Sequence, residues 1–242
     1  MAMWSPWRGC HKCSEGCKYC YIHKGDARKN IDTSIINKTD KFDYPIRKNK
    51  DGTYKMKSDK ICYVCFSSDF LIEEADPWRE ECFSMIKERS DVTFLFLTKR
   101  IERFMDCIPD DWKDGYDNVV VGVSVENQEN VNKKIGILQS LPIKHKMIIL
   151  QPLLEEVNLE KYLDNIELVM VGGESDKFAR PLNYDWVLNI REQCMKHKIP
   201  FEFHQAGTNF IKDGIQYKIN PFQLTKQARL ANIDYLTENR KR

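Results

Sequence analysis

The sequence predicts an α/β fold in which parallel strands alternate with helices. Six short apolar runs recur along the 242 residues, and amphipathic segments with helical spacing separate several of them. The runs are nearly continuous in aliphatic and aromatic residues, as expected of parallel strands that are covered on both faces. A chain of this length can form one large α/β domain. Such βα units form either a partial barrel or a doubly wound sheet, and of the two we expect a partial (βα)6-type parallel barrel.

The predicted strands follow the apolar runs in chain order. They cover residues 61–66, 92–97, 119–125, 146–150, 167–171 and 200–204. Helices are predicted at 76–89, 127–138 and 183–194, where apolar residues recur every three or four positions. The stretch "MWSPW" near the N-terminus is a candidate for a short opening strand.

Two regions depart from this strand–helix rhythm. Residues 24–60 are polar and rich in lysine, and we interpret them as an insertion within a barrel that comprises residues 1–221. Residues 222–242 are predicted to form a C-terminal helix with a basic end, packed on the same domain.

Charge and hydropathy indicate the setting in which the chain works. It has 38 basic and 36 acidic residues and a formal charge of +2, so the net charge gives no indication of a nucleic-acid partner. No stretch approaches the roughly 18 apolar residues of a membrane span, and the N-terminus lacks the apolar region of a secretory signal. We expect a cytoplasmic protein with no membrane partner.

Four of the nine cysteines, Cys10, Cys13, Cys17 and Cys20, lie within eleven residues. Thiols stay reduced in the cytoplasm, and nine is an odd number, so a metal site is favoured over a disulfide framework. Cys62 and Cys65 form another Cys-x2-Cys pair, which we interpret as core thiols. The remaining cysteines, Cys82, Cys107 and Cys194, are also expected to pack in the interior.

The cysteine spacing favours an iron–sulfur cluster over zinc. A zinc ribbon usually separates its two Cys-x2-Cys pairs by a dozen or more residues, and here only three residues intervene. Closely spaced cysteines on one loop suit a cubane cluster. Cys13-x3-Cys17-x2-Cys20 also has the spacing of the radical S-adenosylmethionine (radical SAM) motif, with Tyr19 before the last cysteine.

Polar residues or glycines follow each of the six predicted strands. In chain order they are Ser67, Ser68 and Asp69; Lys99 and Arg100; Ser124, Glu126 and Asn127; Gln151; Gly172, Gly173 and Glu174; and His204 and Gln205. Ligands of parallel α/β sheets bind at the carboxyl ends of the strands. If the opening stretch is a strand, the cysteine loop lies at the same rim, the barrel mouth.

The opening "WSPWRGCHKCSEGCKYCY" resembles that of a phage- and bacteria-associated radical-SAM-like family, which shows W-N-P-x-x-G-C-x6-C-x2-C-Y. The segments "CFSSDFL", "FLFLTKRIERF" and "VMVGGESDKFARPL" also resemble segments of that family, in the same order. The family pattern implies Cys10, Cys17 and Cys20 as cluster ligands, whereas the general superfamily spacing selects Cys13 as the third ligand. Cys13 is therefore the alternative to Cys10.

The resemblance implies an oxygen-sensitive enzyme whose cofactors are a [4Fe-4S] cluster and S-adenosylmethionine. A one-electron reductant such as flavodoxin or ferredoxin is implied, and cleavage of S-adenosylmethionine gives a 5′-deoxyadenosyl radical. The phage association suggests a nucleic acid or nucleotide as the substrate, which the sequence does not identify. It identifies no catalytic residue either.

The resemblance also suggests roles for the strand-end residues. Those expected to bind S-adenosylmethionine are Tyr19, Ser67, Ser68, Asp69, Lys99, Ser124, Glu126, Asn127, Gly172, Gly173 and Glu174. Those expected to contact the substrate are Arg100, Gln151, His204 and Gln205. The chain departs from the family at Gln151, where glutamate is common, and at 204–207, where the family has Lys-x-Trp-Gly.

Two other functions compete with the enzyme. A four-cysteine zinc module could dock a nucleic acid or a protein, and it would be colourless and stable in oxygen. A cluster protein that does not use S-adenosylmethionine could serve electron transfer.

Overall fold

The apolar runs and amphipathic segments form a mixed α/β fold. The computed structural model describes residues 2–58 and 61–236. Its strands are β1 (Ala2–Trp4), β2 (Trp7–Arg8), β3 (Asn37–Lys38), β4 (Ile61–Val64), β5 (Thr93–Thr98), β6 (Val119–Ser124), β7 (His145–Leu150), β8 (Leu168–Gly172), β9 (Leu182–Asn183), β10 (Phe201–Gln205), β11 (Asn209–Lys212) and β12 (Ile215–Lys218). Its α-helices are α1 (Tyr21–Ala27), α2 (Asp76–Glu88), α3 (Phe104–Cys107), α4 (Gln128–Ser140), α5 (Tyr184–Lys196) and α6 (Leu224–Ala231).

Most predicted elements are confirmed, with small shifts at their ends. All six apolar runs form strands, and the opening stretch contributes β1 and β2. The first predicted strand was too long, because Cys65 has a left-handed backbone with φ of 56°, which ends the extended conformation. The predicted C-terminal helix was too long: α6 ends at Ala231, because Asn232 has a left-handed backbone with φ of 49°. The basic end, residues 238–242, lies outside the described residues.

A seven-stranded sheet has the strand order β1-β4-β5-β6-β7-β8-β10. The pairs β1–β4, β4–β5, β7–β8 and β8–β10 are parallel, which confirms the predicted sheet type for these strands. The chain divides into two compact units, and β6 contributes residues to both.

The first unit contains the described residues of Met1–Lys12, Ile22–Gly122 and Ser140–His145. Its sheet is in register with Met3 opposite Tyr63. Much of its core is aromatic: the Trp7 ring stacks on Phe70 with centroids 5.3 Å apart. Trp4 and Trp7 are both fully buried, and each indole N–H donates to a main-chain carbonyl, as a buried tryptophan requires.

The second unit contains the described residues of Cys13–Tyr21, Val123–Gln139 and Lys146–Arg242. Strands β7, β8 and β10 form its parallel layer, and β9, β11 and β12 form a separate three-stranded sheet. Helix α4 buries Val131, Ile135 and Leu138, the apolar stripe that the sequence predicts.

Within the first unit, a buried arginine, Arg89, binds the polar segment 24–58. Arg89 is 1% exposed and donates to the carbonyls of Pro45 and Met56. Its guanidinium also binds Asp91 through two hydrogen bonds of 2.8 and 2.9 Å. Irregular segments leave main-chain carbonyls without ladder partners, and a guanidinium can satisfy several of them at once.

Across the described residues, no helix combines the length and the apolar character that a membrane crossing requires.

Replacing Arg89 with alanine is expected to lower the free energy of unfolding by about 3 kcal/mol, because two buried carbonyls lose a charged donor. Urea denaturation followed by circular dichroism measures the change. The control is Lys133→Gln on α4, where an exposed ion pair with Glu129 is lost and no measurable change is expected. Equal stability of the Arg89→Ala variant and the wild type would contradict this role.

Candidate functional site

Three of the clustered cysteines lie on a short segment of the second unit, residues 13–21. Cys17 is buried at the end of a single 3-10 turn, Glu15–Cys17, whereas Cys13 is exposed and Cys20 is half-buried. The Cys17 Sγ lies 3.7 Å from the Ser14 Oγ. The main chain turns tightly here, with the Cys17 N–H donating to the Ser14 carbonyl and the Cys20 N–H to the Cys17 carbonyl.

Cys10 belongs to the first unit and has its own set of neighbours. Its N–H donates to the carbonyl of Thr33 over 2.7 Å. Its thiol donates to the carbonyl of His11, and the Arg100 Nη1 lies 4.0 Å from its sulfur. Arg100 also donates to the His11 carbonyl over 2.8 Å, so one guanidinium contacts both residues.

An open cleft of about 280 Å³ lies beside Cys10 within the first unit. Its lining is Cys10, His11, Lys12, His23, Ala27, Ile31, Asp32, Thr33 and Ser34. Imidazole, ammonium, hydroxyl and carboxylate groups therefore share this surface. The His11 Nε2 lies 2.5 Å from the Glu74 Oε1, which fixes one side of the ring.

Asp69 is a buried carboxylate that holds Arg100. It is 4% exposed and accepts hydrogen bonds from the Thr98 hydroxyl and the Lys99 N–H, at 2.8 and 2.9 Å. The Arg100 Nη1 and the Leu71 N–H each donate to it over 3.0 Å. The sequence places Asp69 against the ammonium group of S-adenosylmethionine, and in the structure its oxygens already accept four hydrogen bonds. That contact stays a prediction.

The two serines that precede Asp69 lie after β4. Ser67 is half-buried, and the Ser68 hydroxyl donates to the carbonyl of Gly9, the residue before Cys10. Ser68 and Arg100 thus donate to main-chain carbonyls on either side of Cys10, those of Gly9 and His11.

In the second unit, Glu126 is a buried carboxylate that binds the main chain near the cysteines. Glu126 is fully buried, and its Oε1 accepts the N–H of Gly16 over 2.9 Å. Asn127 accepts the N–H of Asn130 and so caps the first turn of α4. Ser124 is buried at the end of β6. Glu126 thus binds the main chain of the 13–21 segment.

Glu174 binds Arg180, a residue that no sequence pattern indicates as part of the site. The Glu174 side chain accepts from the N–H of Arg180 over 2.7 Å and from its Nε over 3.2 Å, and it also pairs with Nη2. Arg180 in turn binds the side chain and the carbonyl of Glu15, at 2.9 and 3.0 Å. Its guanidinium carbon lies 5.6 Å from the centre of the Tyr19 ring.

Electrostatics keep Arg180 charged. Partial burial opposes the charge, but the hydrogen bonds and negative charges of Glu174 and Glu15 outweigh it and raise the pKa of Arg180 above its ordinary value. The signal in the sequence was an arginine six residues after a glutamate in "GGESDKFAR". The two residues lie in the loop between β8 and β9, where no regular period brings side chains together, so the spacing gives no reason to pair them.

The two glycines before Glu174 lie close to neighbouring chain segments, Gly173 against main-chain atoms and Gly172 against side chains. A Cβ on Gly173 would meet the Gly207 Cα at 2.7 Å, and one on Gly172 would meet the side chains of Gln151 and Gln205 at 3.0 Å. Gln205 donates to the carbonyl of Gly173. His204 points elsewhere: its Nδ1 lies 3.4 Å from Glu202. Gln151 and Gln205 therefore lie together at the ends of β7 and β10.

In donor chemistry, the cysteine-rich stretch fits a metal or cluster. All nine cysteines lie in the described part of the chain, and none forms a disulfide. In geometry, residues 2–58 and 61–236 contain no group of three or more His, Cys, Asp or Glu side chains close enough to bind a metal ion. Metal binding would therefore require the thiol side chains to converge.

The remaining cysteines are core residues, as predicted. Burial raises the pKa of the Cys62 and Cys194 thiols to about 12, and it also raises the pKa of Cys65, Cys82 and Cys107. A thiol with a raised pKa is rarely a thiolate near neutral pH, and the thiolate is the reactive form.

The fold and the thiol-rich segment define an α/β protein with a supported cysteine loop. The chain belongs to the family described as Protein of unknown function (DUF5131), whose family model matches residues 1–235.

A shorter stretch is similar to UDP-N-acetylenolpyruvoylglucosamine reductase 2 of Bacillus thuringiensis subsp. konkukian (strain 97-27) and of Bacillus anthracis. Each match is 37% identical over 59 residues, 24% of this chain, and the chain spans 19% of the length of these relatives. No solved structure matches the chain.

Gly173→Ala is expected to lower the free energy of unfolding by about 1–3 kcal/mol, because the new methyl group overlaps main-chain atoms of Gly207. Gly136→Ala is the matched control. Gly136 lies on α4 with open space around it, so the alanine should raise stability by about 0.5–1 kcal/mol. Thermal and urea unfolding measure both changes, and a stabilising Gly173→Ala would refute the close approach.

Brief labelling of the native, metal-free protein with iodoacetamide at pH 8 should modify Cys13 first, because it is exposed. The five core thiols should react at least about tenfold more slowly, since they are buried and rarely ionised. Peptide mass spectrometry gives the rate at each site, and labelling in denaturant gives the reference. Rapid labelling of Cys62 or Cys194 in the native state would contradict the description of the core.

Proposed function

We propose that this chain is a radical SAM enzyme. Cys17 and Cys20 hold a [4Fe-4S] cluster together with a third thiolate, from Cys10 or Cys13. The observation that carries the proposal is the spacing Cys13-x3-Cys17-x2-Cys20, with a further cysteine seven residues before Cys17. Three thiolates leave one iron with an open position, and an open position is what a catalytic metal needs.

The surroundings of the thiols support this use. Cys13 is exposed and Cys20 is half-buried, so cluster assembly from solution is feasible. The main chain between Cys13 and Cys17 is fixed at Gly16 by the buried Glu126 and at Glu15 by Arg180. Near Cys10, the Asp69–Arg100 pair fixes the carbonyl of His11.

A cluster bound by these cysteines would supply one electron, received from the reductant, for cleavage of S-adenosylmethionine into methionine and a 5′-deoxyadenosyl radical. The chain's own residues then have to bind and orient the cofactors and keep water and oxygen away from them. Ser67, Ser68 and Lys99 offer hydroxyl and ammonium groups at the strand ends of the first unit, and Gln151 and Gln205 offer amides at those of the second. Three buried carboxylates contribute by positioning: Asp69 orients Arg100, Glu126 holds the main chain at Gly16, and Glu174 orients Arg180.

The finer architecture belongs to the same proposal. A partial (βα)6-type barrel with the cysteine loop at its mouth is consistent with the parallel strand pairs and with polar residues at strand ends. A flavodoxin or ferredoxin is the expected electron donor, and the substrate class includes nucleic acids and nucleotides.

The test is anaerobic reconstitution with iron and sulfide. Wild-type protein should turn brown, bind about four irons per chain and release 5′-deoxyadenosine on reduction with S-adenosylmethionine. Cys17→Ala and Cys20→Ala should each lose most of the iron. Of Cys10→Ala and Cys13→Ala, the one that loses iron identifies the third ligand, and Cys107→Ala is the control at a core thiol.

Other outcomes decide between the alternatives. A colourless protein that holds tetrahedral zinc and no iron would establish the interaction module instead. A stable cluster that never yields 5′-deoxyadenosine would establish an electron-transfer protein, and either result refutes the enzyme.

A further inference from the structure

Arg180 connects a buried carboxylate to the segment that carries Cys13, Cys17 and Cys20. It receives its orientation from Glu174, whose side chain is 6% exposed and accepts from three nitrogens of Arg180, one of them the main-chain N–H. The main chain of Glu174 is fixed as well, because its carbonyl accepts the N–H of Thr208 over 2.8 Å.

The same guanidinium also donates hydrogen bonds to the segment. Nη1 donates to the Glu15 carboxylate and Nη2 to the Glu15 carbonyl. The carboxylate of Glu15 is 60% exposed, and such a pair contributes little by itself. The carbonyl contact matters more, because it acts on the main chain of the Glu15–Cys17 turn.

Glu126 provides a second anchor at the next residue, through the N–H of Gly16. Both anchors act on main-chain atoms between Cys13 and Cys17. They therefore fix the path of the backbone between these two cysteines.

We propose that Arg180, oriented by Glu174, is a positioning residue that holds the cysteine segment ready for metal binding. The role of Arg180 in metal binding rests on the proposed function, whereas its restraint of the main chain in the cysteine segment does not. A planar guanidinium with several donors is required, since it has to bind Glu174 and the Glu15 carbonyl together, and a lysine cannot reproduce that geometry.

The first experiment uses the metal-free full-length chain and limited trypsin digestion. The bond after Lys18 is the reporter, because Lys18 is exposed and lies in the anchored segment. Arg180→Gln should speed cleavage there about tenfold, and Arg180→Lys should give a smaller increase. The Arg180→Lys variant also serves if the glutamine variant does not fold.

Arg103→Gln is the matched control. Arg103 is 21% exposed against 22% for Arg180, and it likewise binds a carboxylate, that of Asp76, and a carbonyl, that of Leu71. It should leave cleavage after Lys18 unchanged. Unchanged cleavage in both Arg180 variants, or an equal increase in Arg103→Gln, would overturn the proposal.

The second experiment measures iron per chain and the electron paramagnetic resonance spectrum after reconstitution. Arg180→Gln should bind less than about half the iron of the wild type, with partial recovery in Arg180→Lys. If cleavage after Lys18 responds to Arg180 but the wild type binds no iron, the positioning role stands and the proposed function fails. Full iron binding and an unchanged spectrum in Arg180→Gln would overturn the role in metal binding.

Discussion

Buried carboxylates impose the main constraint on the cysteine-rich stretch. Asp69, Glu126 and Glu174 are each less than 10% exposed, and a carboxylate in such a place costs free energy unless hydrogen-bond donors surround it. In each unit the donors include the stretch itself or an arginine that binds it. The polar interior and the loop that carries the thiols therefore have to form together.

Arginine is the residue that connects irregular segments throughout this chain. Several arginines donate to main-chain carbonyls of loops or turns and also bind an aspartate or glutamate. Examples are Arg79 with the carbonyls of Phe70 and Ile72, Arg89 with those of Pro45 and Met56, Arg100 with that of His11, Arg103 with that of Leu71, and Arg180 with that of Glu15. Loops that lack ladder partners gain from a donor of this kind, since it satisfies a carbonyl and keeps a charge balanced.

The sequence predicted the regular elements well because their information is local. Strands β5 to β8 are apolar runs, and the stripe of Val131, Ile135 and Leu138 fixes one face of α4. The support of the site was harder to predict. Glu174 and Arg180, or Asp69 and Arg100, meet through side chains placed by tertiary structure, and no short-range period links them. The sequence places polar residues after the strands, but it does not indicate which protein groups they bind.

The turn at residues 49–53 is held at both of its ends. Asn49 and Thr53 close it through a main-chain hydrogen bond, and Gly52 has the positive φ of 85° that such a tip needs. Arg89 holds Pro45 before the turn and Met56 after it. Extra residues at the tip would lengthen a loop whose ends stay in place, and that entropic cost grows only with the logarithm of length. The tip is accordingly where an affinity tag or a fluorophore can be inserted without disturbing the core.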